Sequence, residues 1–231
     1  MRILFAAMFA ALSLAGCAMA PIGPMPTVGN SEPDFARRAQ FLRVVGNVEP
    51  VIERICRDTT VQRDCDFLIV VDTAANMPAN AYQTVDQRGR PVIAFTTALL
   101  NDIQNDDELA FVLGHEASHH IAGHLEQTQR NAQIGAEIFS GLAGIAGSGV
   151  PQDLALAREL GAAVGARAYS KDYELEADRM AARITTIAGY DAWKGAQFFF
   201  RIPDPGDRFL GSHPANADRI RAVQNVVASL K

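Results

Sequence analysis

Residues 115–119 read His-Glu-Ala-Ser-His, and no other stretch constrains this chain as tightly. Imidazoles four residues apart stand one above the other only if the backbone between them is helical. The flanking sequence supplies that helix. Asn105 and Glu108 have the spacing of a capping box, and Leu109, Val112, Leu113 and Ile121 form an apolar stripe. The pattern predicts one helix running past His124 towards Gln129. On it, His115 and His119 converge on a single tetrahedral Zn²⁺. Glu116 falls about 100° further round, beside the metal, where a carboxylate can take a proton from bound water and return it to a leaving amine. The alternative is a solvated polar face carrying incidental histidines, and the cap with its apolar stripe weighs against it.

Such a centre needs a third protein ligand and one open position. A three-histidine spacing would put the next ligand at position 125, where this chain has Leu125, with His124 one residue early. His120 and His124 are therefore read as surface or supporting residues. A carboxylate from a later helix is the other solution, and Ser170 to Asp178, with Glu174 and Glu176 inside it, is the candidate segment.

The remaining pattern is α+β and mostly helical. Residues 34–57 read as a helix capped by Asp34, with Phe35, Leu42, Val45, Ile52 and Ile55 near one face. Phe67 to Val71 reads as a buried strand. Ala81 to Val85 and Pro91 to Phe95 flank Asp86 to Arg90 as a hairpin, and Thr96 or Thr97 begins a short helix. Residues 134–150 are rich in Gly and Ala. They read as a helical hairpin, a lid near the site, or helices packed closely through small residues. Helices are expected over residues 152–167, 171–187, 191–201 and 214–230.

The first residues read as targeting, not fold. A short basic start precedes the apolar run Ile3 to Leu14, which is too short to span a bilayer. Leu14-Ala15-Gly16-Cys17 resembles a bacterial lipobox, so residues 1–16 are expected to be a signal peptide and Cys17 the lipidated residue, with a plain secretory signal cleaved after a small residue such as Ala18 or Ala20 as the alternative. Residues 17–33, rich in Pro, read as a tether, and residues 34–231 as one domain, consistent with a 231-residue chain. Ala18 after the Cys implies the periplasmic face of the outer membrane. In that oxidising compartment Cys56 and Cys65 are expected to form a disulfide, with two separate thiols as the alternative. A formal charge of −5 argues against nucleic-acid binding.

His-Glu-x-x-His followed by Ser-x-x-x-Glu-x-x-Ala-Asp resembles the M48 family of zinc metallopeptidases, including its periplasmic lipoprotein members. The resemblance implies a zincin-like domain whose small sheet has an edge strand beside the active-site helix. It implies one Zn²⁺ per chain, with His115, His119 and Glu174 as ligands. Asp178 shares a face with Glu174 and can accept a hydrogen bond from a ligand His. Asn80, Ala81 and Tyr82, with Ile93, Ala94 and Phe95, match the family's substrate-binding segment and edge strand, to which substrate backbone adds. Ser212-His213-Pro214 matches a family motif. His213 is expected to donate to an oxyanion or to close the open metal position, or alternatively to cap a helix. Arg219 is expected to hold a ligand carboxylate or the substrate. The implied function is hydrolysis of polypeptides, misfolded or stalled envelope proteins above all, in quality control at the outer membrane. The competing function is a zinc-containing lipoprotein chaperone with latched or low proteolysis. Lys171 departs from the family's usual Arg without touching a catalytic position.

Overall fold

The computed structural model describes residues 33–147, 150–168, 170–203 and 214–230. His213 and Cys17, with the expected signal peptide and all of the tether but Pro33, lie outside them. The chain begins with helix α1 (Phe35–Thr59), whose N-cap Asp34 accepts a hydrogen bond from Arg37 N. Strands β1 (Leu68–Asp72), β2 (Ala81–Val85) and β3 (Pro91–Thr96) follow. Then come α2 (Thr97–Asp102), α3 (Asp106–Ala122), α4 (His124–Ile145), α5 (Pro151–Arg167) and α6 (Ser170–Ile187). The chain closes with α7 (Ala192–Ala196), a 3₁₀ turn (Gln197–Phe200) and α8 (Asn216–Ser229).

Helix α3 is the axis of the fold. Every residue from Glu108 to Ile121 is buried, as expected of a helix packed on all sides. On one side, Phe41, Val44, Val48 and Ile52 of α1 meet Phe95, Leu109 and Leu113. On the other, Phe111 meets Ala181, Phe199 and Val223 from the C-terminal elements. A Cβ on Gly114 would stand 3.3 Å from Ile184 Cγ2 and 3.4 Å from Ala181 Cα. The bare glycine thus lets α6 press against α3 at the turn that carries His115. Asn105 caps α3 by accepting from Glu108 N, and Glu108 Oε2 accepts from Gln104 N.

Three expectations are corrected. Helix α3 does not reach Gln129; it stops at Gly123, where φ is +71° and the N–H donates to the carbonyls of His119 and His120. Only glycine takes that backbone geometry cheaply, and a separate α4 starts at His124. The buried face of α1 is Phe41, Val44, Val48, Ile52 and Cys56, whereas Phe35 and Leu42 are exposed. Those two lie about 100° from the buried stripe on a 3.6-residue period. Finally, β3 is the middle strand, not an edge. The order is β1-β3-β2, with β1 parallel to β3 and β2 antiparallel. The free-edge strand beside α3 is β2.

Of residues 134–150, those up to Ile145 lie in α4, which packs antiparallel against α5. Gly135 and Gly161 face each other so closely that a Cβ on either would run into the other's carbonyl. Gly135 therefore serves close helix packing, whereas Gly141 and Gly144 have nothing within 4 Å of a built Cβ and do not. Ile134, Ile138 and Leu142 of α4 and Leu156 and Leu160 of α5 remain exposed. Among the described residues, no helix is long and apolar enough to cross a membrane.

Candidate metal centre

On α3, His115 and His119 present their Nε2 atoms 3.1 Å apart, the rings edge to face. Glu174 arrives from the first half of α6. Its Oε2 lies 3.5 Å from His115 Nε2 and its Oε1 3.3 Å from His119 Nε2. All three residues are buried, and their donor atoms lie within 4.8 Å of one another. Ligands about 2.0–2.1 Å from a tetrahedral zinc stand roughly 3.3 Å from each other. The distances here match the edges of such a tetrahedron, and two nitrogens with one carboxylate are the donor types of a hydrolytic zinc site. The residues therefore fit the ion.

Each imidazole is held from behind. Asp178, one turn after Glu174, places Oδ1 2.9 Å from His115 Nδ1. Arg219 of α8 donates from Nε to Asp178 Oδ2 at 2.7 Å and from Nη2 to Oδ1 at 2.8 Å. Its Nη2 also lies 3.4 Å from Glu174 Oε2, and its guanidinium sits 4.0 Å over the Phe199 ring. Of the two expected roles for Arg219, holding the carboxylates is what this geometry supports. Behind His119 stands His124, with Nδ1 atoms 3.0 Å apart. His124 Nε2 lies 3.3 Å from Glu176 Oε2, and its ring stacks on Tyr173 with centroids 4.6 Å apart.

The electrostatics favour a cation. Burial works against a charged His115. The hydrogen bonds to Asp178 and Glu174 and their charges outweigh it, pushing its pKa up to about 10. Burial likewise opposes a charged Asp178, but Arg219 and His115 hold its carboxyl below the ordinary aspartate value. Glu116 is buried, and that burial raises its carboxyl despite the nearby imidazoles and Arg219. A carboxylate made more basic in this way is better matched to accepting a proton near neutral pH. Burial, then the neighbouring His119, pushes His124 down to about 3, so its ring is neutral.

Other anticipated residues lie elsewhere. His120 turns away, its Nε2 2.7 Å from the Asp64 carbonyl and its ring edge-on to Phe67. Glu176, half-exposed, faces His124 rather than the ligand triad. Asn80 N donates to Thr96 Oγ1, and Tyr82 OH donates to Asp72 Oδ2 at 3.0 Å. Ala81 and Tyr82 lie on the free-edge strand β2. Ile93, Ala94 and Phe95 are wholly buried in the middle strand, with neighbours on both sides, so they offer substrate neither side chain nor free backbone. Cys56 and Cys65 are joined as a disulfide. Sequence reading did not single out Tyr173, and it left His124 between a surface and a supporting role. Gly123, a glycine just after a His-rich last turn, was the signal that the chain reverses there and folds His124 under His119.

The family described as peptidase family M48 matches residues 44–227. A protein of Vibrio cholerae serotype O1 named "Putative beta-barrel assembly-enhancing protease" is 33% identical over 141 residues. That match covers 55% of this chain and 29% of the relative, so this chain spans well under half of that protein.

Proposed function

This chain belongs to peptidase family M48, and from that membership we propose that it is a zinc-dependent endopeptidase acting on proteins of the bacterial envelope. The observation that carries the reading is the tetrahedral spacing of His115, His119 and Glu174 with Glu116 buried in the same turn of α3. Zinc bound by those three residues supplies a Lewis acid and water of lowered pKa. Glu116, buried beside the ligands, would take a proton from the attacking water and return it to the leaving amine. Asp178 orients His115, and Arg219 locks Asp178 while balancing the charge of Glu174. Substrate backbone adds to the free edge of β2 along Ala81 and Tyr82. His213 lies outside the described residues; the family resemblance offers it as an oxyanion donor or as the group that closes the open metal position.

The lipobox resemblance supports attachment through Cys17 to the periplasmic face of the outer membrane. The relative's name pairs proteolysis with β-barrel assembly, with which a role in envelope quality control is compatible. The same name, with its reference to assembly, favours a second reading: a zinc-containing chaperone whose proteolysis is low or latched. Cleavage assays of the wild-type protein, with Glu116→Gln as its control, separate the two. The variant is expected to keep one zinc per chain by elemental analysis and to lose casein hydrolysis by about 10²–10⁴-fold. Hydrolysis at the wild-type rate would reject Glu116 as the base. A wild-type protein that binds zinc but cleaves neither casein nor peptides would favour the chaperone.

A further inference from the structure

We propose that His124 is a positioning residue for His119: it accepts the His119 Nδ1 hydrogen and so holds that imidazole with its Nε2 lone pair turned to His115 and Glu174. The inference rests on the metal reading above and adds a residue to it. Two nitrogens 3.0 Å apart share one hydrogen, so one ring donates and the other accepts. If His124 were the donor, His119 would carry its hydrogen on Nε2, pointing into the space it shares with His115 Nε2 at 3.1 Å. A His124 tautomer with its hydrogen on Nδ1 would then turn an Nε2 lone pair toward the Glu176 carboxylate at 3.3 Å. The opposite assignment removes both conflicts. His119 donates to His124 Nδ1, and His124 donates from Nε2 to Glu176 Oε2.

The arrangement is built rather than incidental. His124 is wholly buried and enters through the left-handed corner at Gly123. Its ring stacks on Tyr173, which neighbours Glu174 and accepts a hydrogen bond from Asn131 Nδ2 of α4 at 3.0 Å. The two imidazoles of the triad thus have different backing. His115 faces a carboxylate directly, and His119 reaches one through a second imidazole.

The test is zinc affinity, read by competition with a chromophoric chelator, with the Tm of the metal-free protein as the fold check. His124→Leu removes the acceptor at similar volume and is expected to bind zinc about 10- to 100-fold more weakly. His124→Asn keeps an acceptor near the Nδ1 position and is expected to recover most of that loss. Glu176→Gln, at a half-exposed site that cannot unfold the chain, is expected to weaken zinc by a smaller factor. Wild-type affinity in a folded His124→Leu protein would overturn the proposal, as would His124→Asn binding as weakly as His124→Leu. Should His124→Leu fail to fold, unchanged affinity in Glu176→Gln overturns it instead. A wild-type chain that takes up no zinc overturns the metal reading and this inference together. Loss confined to the variants leaves both standing.

Discussion

His115 and Arg219 show how much of the site is decided by single charges. In the metal-free protein burial is outweighed by the carboxylates of Asp178 and Glu174, which raise the His115 pKa to about 10, so its proton stands where a cation would. That folded value is above the unfolded 6.5, so the stability it contributes is complete below pH 6.5 and is lost as pH rises through about 10. Chelator-treated protein is therefore expected to lose Tm between pH 7 and pH 10, while zinc-loaded protein, having no such proton to lose, changes less. A flat metal-free profile would show that His115 does not carry the proton. Zinc must displace it, so zinc affinity should climb with pH over the same interval. Arg219 is tested differently. Asp178 has no exposed surface, and the guanidinium is its counter-charge. Removing one partner of a buried pair leaves the other uncompensated, so Arg219→Met should cost about 3–5 kcal/mol in urea unfolding.

At the scale of elements, small residues decide what can approach. Gly161 lies against the Gly135 backbone and 2.7 Å, by a built Cβ, from the Phe139 side chain. Gly161→Ala forces α4 and α5 apart and should destabilise the hairpin by about 1–3 kcal/mol. Hydrogen exchange would show this as loss of protection confined to α4 and α5, with α3 and α6 unchanged; uniform loss would mean the hairpin is integral to the core. Periodicity and turn chemistry made most elements legible: the β2–β3 hairpin from Asp86 to Arg90, the capped start of α3, the helices of the C-terminal half. They failed where tertiary context chose among options. In α1 two apolar stripes compete, and only packing against Phe95 and Leu109 selects the one with Phe41 and Val48. In β3, wall-to-wall burial marks a central strand; the edge reading rests on family resemblance, and a short apolar run does not by itself choose between edge and centre. At Gly123 the local signal for a stop was present and was outweighed by the helical pattern continuing beyond it.

Across the whole molecule, the site is assembled from α3, α6 and α8, parts of the chain that meet only once the domain has folded. The pair His115 and His119, with Glu116, was readable from spacing, because a helix fixes their relation locally. Glu174, Asp178 and Arg219 were not, since no local rule links position 119 to 174 or 219; family resemblance supplied them. The Cys56–Cys65 disulfide tests whether such a site depends on distant staples. It joins the last turn of α1 to the segment before β1, nine residues on. Closing a loop of that length removes enough unfolded-state entropy for about 2–3 kcal/mol. Replacing both cysteines by serine should thus lower Tm by roughly 5–10 °C in a domain of this size. The loop it closes also touches the metal helix, because Asp64 O meets His120 Nε2, and it touches the start of α4, where Arg63 pairs with Glu126 at 2.9 Å. Those contacts do not pass through sulfur, and His115, His119 and Glu174 are fixed by α3 against α6. The expected result is therefore a split: lower Tm with zinc affinity at 25 °C within a few-fold of wild type. A double serine variant that keeps its fold but loses zinc would show that the loop, through His120, sets the position of His119, and that the site is supported from one more direction than α6 and α8 provide.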